Sequence, residues 1–268
     1  MEGERKGIAK VTKINGLRGA EDLGQAVASK VPEVTVGFWL VKILATTLGE
    51  TGGEVVSLFL DLGYTMGSVL FLEVFAAAVA AQVAVGSFHP LLFWFVIIAT
   101  ASASTTLAEL VDHALGIGWA GGAGLLLALL VASFTLWYRV TGSVSVRRVA
   151  LPAAELFFWM TVLLSQMLGT ALGGWMAEGA GLGFRGGAVV VVGGLALLLF
   201  LYARTGAPRI VLFWCAFVLT RPFGTMLADW LDNPVADGGL DLDRLPVSAL
   251  LLAAILVCIV HLPQRPAR

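Results

Sequence analysis

From residue 34 onward the chain alternates long apolar runs with short polar breaks. Eight runs stand out, at 34–60, 65–87, 90–112, 118–138, 154–178, 185–204, 209–231 and 245–263. Each approaches or exceeds the ~20 residues that carry an α-helix across ~30 Å of hydrocarbon. The pattern predicts an all-α integral membrane protein with eight transmembrane helices.

The runs carry a repeat. Phe-Trp pairs stand at Phe38-Trp39, Phe93-Trp94, Phe158-Trp159 and Phe213-Trp214. The tryptophans are 55, 65 and 55 residues apart, so the first and third pairs, like the second and fourth, are separated by 120. Six residues past each Trp stand Ala45, Thr100, Ser165 and Thr220; ten past it stand Gly49, Ser104, Gly169 and Gly224. Small residues four apart let membrane helices approach closely. Each period holds two spans, so the repeats re-enter in one orientation. This predicts parallel repeats about an axis along the membrane normal, with odd helices central and even helices outside against lipid. The divisions are 1–31 for an N-terminal tail, 32–88, 89–152, 153–207 and 208–263 for the four repeats, and 264–268 for a C-terminal tail. Residues 17–30 are compatible with a short surface helix, and no signal peptide is expected because the first 31 residues are polar.

Composition narrows the class. Residues are 58% hydrophobic and 13% charged, about half the charge of a soluble domain. A net charge of −1 gives no field for nucleic acid. Cys215 and Cys258 both lie in apolar runs, which leaves no disulfide framework or Cys-based zinc site. No Walker loop, dinucleotide fingerprint, nucleophile elbow or HExxH occurs, so no enzymatic activity is expected. Thirteen Lys and Arg fall on the side of both termini. The other side has Arg185 and Arg244 against Asp61, Asp112, Glu178, Asp232, Asp237, Asp241 and Asp243. The bias predicts cytoplasmic termini in a plasma membrane. Trp119, Trp175 and Trp230 read as an interfacial belt on the opposite side.

Polar residues concentrate on the odd helices; Glu73 and Gln82 are the exceptions. Positions 7, 11 and 15 past each Trp share one helix face. They read Thr46, Glu50, Glu54; Ala101, Thr105, Glu109; Gln166, Thr170, Gly174; and Arg221, Thr225, Asp229. Lys42 stands one turn past the first Trp. Four acids against two bases leave this lining acidic, a surplus that protonation or a bound cation relieves. Carboxylate and hydroxyl oxygens suit hard ions such as Mn²⁺ or Mg²⁺, or protons, so Glu50, Glu54, Glu109 and Asp229 are the candidate ligands. Structural ion pairing with Lys42 and Arg221 is the competing account. Three weaker features accompany the stripe. Pro222 is compatible with a broken helix that exposes carbonyls. The Asp112-His113 pair is a candidate outer ligand site. The doublets Gly121-Gly122 and Gly193-Gly194 read as packing features.

With the four Phe-Trp pairs and the run Phe38-Trp39-Leu40-Val41-Lys42-Ile43-Leu44-Ala45-Thr46-Thr47-Leu48-Gly49-Glu50-Thr51, the chain resembles a bacterial membrane-protein family. Its members, often labelled "membrane-anchored protein", have four tandem repeats of unknown function, each with two transmembrane helices and a signature tryptophan. The resemblance covers about residues 33–262 and implies the fold without an activity. The second repeat departs from it, with Ser104-Thr105 where the first has Gly49-Glu50. The expectation is a transporter of a small cation, a divalent-metal exporter or a proton-coupled carrier, in a bacterial inner membrane. The alternative is a non-transporting sensor, scaffold or accessory subunit. Eight helices can enclose a path within one chain, and a homodimer is equally allowed.

Overall fold

The computed structural model describes residues 29–59 and 63–267. The proposed surface helix lies almost wholly outside them, as does Asp61. Among the described residues the long elements are eight α-helices: α1 (Val36–Phe59), α2 (Gly63–Ala84), α3 (Pro90–Leu115), α4 (Gly118–Thr141), α5 (Pro152–Gly174), α6 (Gly183–Arg204), α7 (Arg209–Asp232) and α8 (Arg244–His261). A π-helical turn, Trp175–Gly179, extends α5. They coincide with the eight apolar runs to within a few residues. Local chemistry sets several ends. Pro90 and Pro152 open their helices at the position where a missing N–H costs nothing. Gly116 and Gly142 close α3 and α4 at positive φ, and their N–H groups bond back to Asp112 O and Tyr138 O.

Seven of these helices are long and apolar enough to cross a membrane. The remaining one, α1, has the length but carries Lys42, Glu50 and Glu54. The chain is therefore a multi-pass helical protein of membrane type.

Helix α1 packs against α3 and α7, and α5 packs against the same two. The odd helices thus close a ring. Each even helix makes its main packing with the odd helix of the following repeat: α2 with α3, α4 with α5, α6 with α7, and α8 back onto α1. Burial follows this order. The most apolar stretches of α3 and α5 are 72% buried, and those of α4 and α6 only 17% and 11%.

The small residues make the ring tight. A Cβ on Gly49 would overlap Ala101 Cβ of α3, and one on Gly224 would overlap Thr46 of α1. On Gly169 it would lie 2.5 Å from Arg221 Cβ of α7. In each case the tenth residue past a signature Trp meets the seventh residue of the next repeat. The doublets behave differently: a Cβ on Gly122 or Gly193 would meet nothing within 4 Å, and one on Gly121 only Ile117, the residue that precedes its own helix. Of the four doublet glycines, Gly194 alone faces another helix, at Leu219. Pro222 does not break its helix. α7 runs continuously from Arg209 to Asp232 with Pro222 buried inside it, so no gap of exposed carbonyls forms.

Residues 29–31, assigned to the tail by their polarity, are buried. Ser29 Oγ donates to Val146 O, and the Lys30 N–H donates to Val149 O. Pro32 pairs with Pro266 as an isolated antiparallel bridge. The described N-terminal segment is therefore tied to the C-terminal segment and to the α4–α5 connection.

A candidate functional site inside the odd-helix ring

The Phe-Trp pairs form a closed collar where the N-terminal ends of the odd helices meet. Within each pair the rings meet edge-on, with centroids 4.9–5.3 Å apart. Between repeats each Phe touches the next Trp: Phe38–Trp94 at 5.4 Å, Phe93–Trp159 at 5.5 Å, Phe158–Trp214 at 6.1 Å and, closing the circle, Phe213–Trp39 at 5.7 Å. Eight rings seal one end of the ring of helices. Aromatic pairs of this kind contribute about 0.5–1.5 kcal/mol each beyond the area they bury. Two indole N–H groups are also satisfied, Trp94 donating to Gln264 Oε1 and Trp214 to Val144 O.

Beyond the collar the lining is layered, and exposure increases with distance from it. Three residues past each Trp stand Lys42, Ile97, Val162 and Phe217, all essentially inaccessible. Lys42 Nζ sits 3.9 Å from the centroid of the Phe217 ring. Desolvated cation–π contacts are worth about 2 kcal/mol. The next layer, Thr46, Ala101, Gln166 and Arg221, is also fully buried. Then come Glu50, Thr105 and Thr170, 6–7% exposed, with Thr225 partly exposed. Glu109 and Asp229 follow, partly exposed, at the far end. Glu54 shares that level, and its side chain lies outside the described residues.

Arg221 organises the two middle layers. Its Nη2 donates to Glu50 Oε2 at 2.6 Å and to Thr105 Oγ1 at 2.5 Å, and lies 3.3 Å from Ala101 O. Its Nη1 donates to Thr46 O at 3.2 Å. One guanidinium therefore binds α1 and α3 from α7. Thr105 Oγ1 is 3.0 Å from Glu50 Oε2, and Thr225 Oγ1 is 3.5 Å from it. The surrounding polar groups are not all consumed. Lys42 Nζ, Arg221 Nε and both amide atoms of Gln166 are buried without a hydrogen-bond partner among the described residues.

The structure thus brings Glu50, Arg221, Thr46, Thr105 and Thr225 into one cluster. Its ion pair is Glu50–Arg221, and Lys42 is held by an aromatic face instead. The candidate metal ligands are not gathered: among the described residues no three His, Cys, Asp or Glu side chains lie close enough to hold a metal ion. Thr170 donates to Gln166 O of its own helix. Of the belt tryptophans, Trp175 and Trp230 are each 42% exposed, and Trp119 donates to Glu178 at 2.9 Å.

A second buried ion pair escaped the reading by spacing. Lys30 Nζ lies 2.7 Å from Glu155 Oε1, with both side chains buried, and also donates to Gln82 O and Val83 O. Glu155 lies in the first turn of α5, ahead of the Trp from which the polar positions are counted. An acid opening an otherwise apolar span was the available signal.

The fold and lining define a membrane-type bundle built from a repeat. The family described as "Repeat of Unknown Function (DUF347)" matches residues 37–87, 157–207 and 212–263, together more than half of the chain. The chain belongs to this family. The unmatched stretch includes the second repeat, where Ser104-Thr105 replaces Gly49-Glu50. No curated protein and no solved structure matches the chain.

Proposed function

We propose that this protein is a multi-pass transporter of a small cation, with its path along the ring of odd helices. Its four repeats stand parallel about the membrane normal, the odd helices central and the even helices against lipid, in a bacterial plasma membrane with both termini cytoplasmic. The reading involves no catalysis.

The observation that carries the proposal is a carboxylate deep in the bundle that its partner holds through one oxygen. Glu50 is bound through one oxygen, Oε2, by Arg221 and Thr105. The layer beyond it carries Glu109 and Asp229, with Glu54 on the same face, and these acids form the vestibule. A proton or hard cation reaching Glu50 competes with the guanidinium for that oxygen. Arg221 can yield it because Thr46 O and Ala101 O still accept from it. Thr105 and Thr225, with Thr170 at the same level, supply hydroxyl oxygens of the kind Mn²⁺ and Mg²⁺ accept. Lys42 and Arg221 act as charge-compensating gates toward the sealed collar, and Gln166 and Thr46 line the layer between. Reconstituted vesicles loaded with a Mn²⁺ or pH indicator test this. The wild type should show flux, and Glu50→Gln should abolish it; unaltered flux through Glu50→Gln overturns the assignment.

One observation favours a second reading. The hydrogen bonds of Arg221 span three helices, which is also what a structural lock in a sensor, scaffold or accessory subunit requires. In that case no ion panel produces flux, and loss of Arg221 registers only as loss of stability.

A further inference from the structure

The four seams between odd helices are not equally covered. At the α5/α7 seam, α4 supplies Phe134, whose ring meets Trp214 at 5.0 Å, and Trp137, 1% exposed and 6.0 Å from Trp214. These residues lie 40 and 43 positions past Trp94. The same count from Trp159 reaches Leu199 and Tyr202 on α6, beside the α7/α1 seam. There the equivalents are 68% and 56% exposed. The seam is left as an open groove of about 1020 Å³ running inward to Trp39, Ile43 and Phe213.

We infer that this groove binds an anionic phospholipid. Its walls are largely apolar, with Leu195, Leu198, Leu199 and Ile43 among the lining residues, and α6 is among the most apolar spans. An acyl chain therefore replaces there the aromatic filling that α4 provides at the neighbouring seam. The collar end of the groove carries Arg147 and Arg209, both exposed, against the single acid Glu33. Arg209 is held in place by stacking on the Tyr202 ring at 4.0 Å and by donating to Tyr202 O. Two guanidinium groups at the head of an apolar slot match a phosphate headgroup above its chain. The volume, near the upper end of the ~300–1,000 Å³ typical of ligand sites, accommodates a lipid tail.

The test is native mass spectrometry of the purified full-length protein, with dioleoylphosphatidylglycerol and dioleoylphosphatidylcholine offered in equal amounts. Phosphatidylglycerol should be retained at least several-fold in excess. Arg147→Gln/Arg209→Gln should abolish the preference, while Arg139→Gln, outside the groove, should preserve it. Leu199→Trp, which fills the slot as Phe134 fills its own seam, should remove the retained lipid. Equal retention of both lipids overturns the inference. So does a wild-type dimer that Leu199→Trp converts to monomer, because the groove is then a contact between copies of this chain. None of these outcomes depends on transport.

Discussion

Replacing Arg221 with Met is the most informative perturbation of the core. The side chain is wholly inaccessible, and its guanidinium holds Glu50 at 2.6 Å together with carbonyls on two other helices. Methionine keeps much of the volume and removes every one of those bonds. Glu50 is then a buried carboxylate with only hydroxyl partners, Thr105 and Thr225. Removing one member of a buried pair costs about 3–5 kcal/mol, because the other charge is left uncompensated. Glu50→Gln/Arg221→Met removes both charges and should recover most of that loss, since uncharged replacements of buried pairs are often neutral. The coupling is read from equilibrium unfolding in mixed micelles by tryptophan fluorescence, which the collar indoles report directly. If Arg221→Met unfolds within about 1 kcal/mol of the wild type, the pair is not a buried lock and the assignment of Glu50's partner fails. Lys42→Met in place of Arg221→Met should give no comparable rescue of Glu50→Gln, because Lys42 rests on Phe217 rather than on Glu50.

Two further predictions follow from packing and burial. Gly49→Ala should destabilise by about 1–3 kcal/mol through overpacking against Ala101, whereas Gly193→Ala, which meets nothing, should be neutral or slightly stabilising; the same unfolding assay separates them. Lys30→Met should destabilise through the buried, unpaired Glu155 and increase protease cleavage near residue 29, and Lys30→Met/Glu155→Gln should reverse both effects.

Counting from the signature Trp recovered the layers of the ring interior, because axial position along a helix is a direct function of residue number. The layer of Glu50, Thr105, Thr170 and Thr225, and its neighbours on either side, were legible in that way. Position around the ring was not. Whether Glu50 meets Lys42 or Arg221 depends on which helix stands opposite, and linear spacing carries no such information. The cyclic offset, in which each even helix packs on the following repeat, was hidden for the same reason. The doublet glycines were misread because composition does not distinguish a glycine at a helix crossing from one on an open face. Gly49 is marked by its place ten residues past a signature Trp and stands at a helix crossing, whereas Gly193 has no such register and meets nothing. The Lys30–Glu155 pair joins a polar segment to the start of a span, and no periodicity links them.

The offset packing has a consequence for biosynthesis. The first of the described helices, α1, is the span least suited to lipid, and two of its three main partners, α7 and α8, are made last. Between them lie some 150 residues of chain, during which Glu50 has no Arg221 to meet. Insertion of this protein is thus a matter of waiting: an early, polar helix must be sheltered until the C-terminal repeat arrives and closes the circle. Truncations that remove α8 should therefore fail at the N-terminus first.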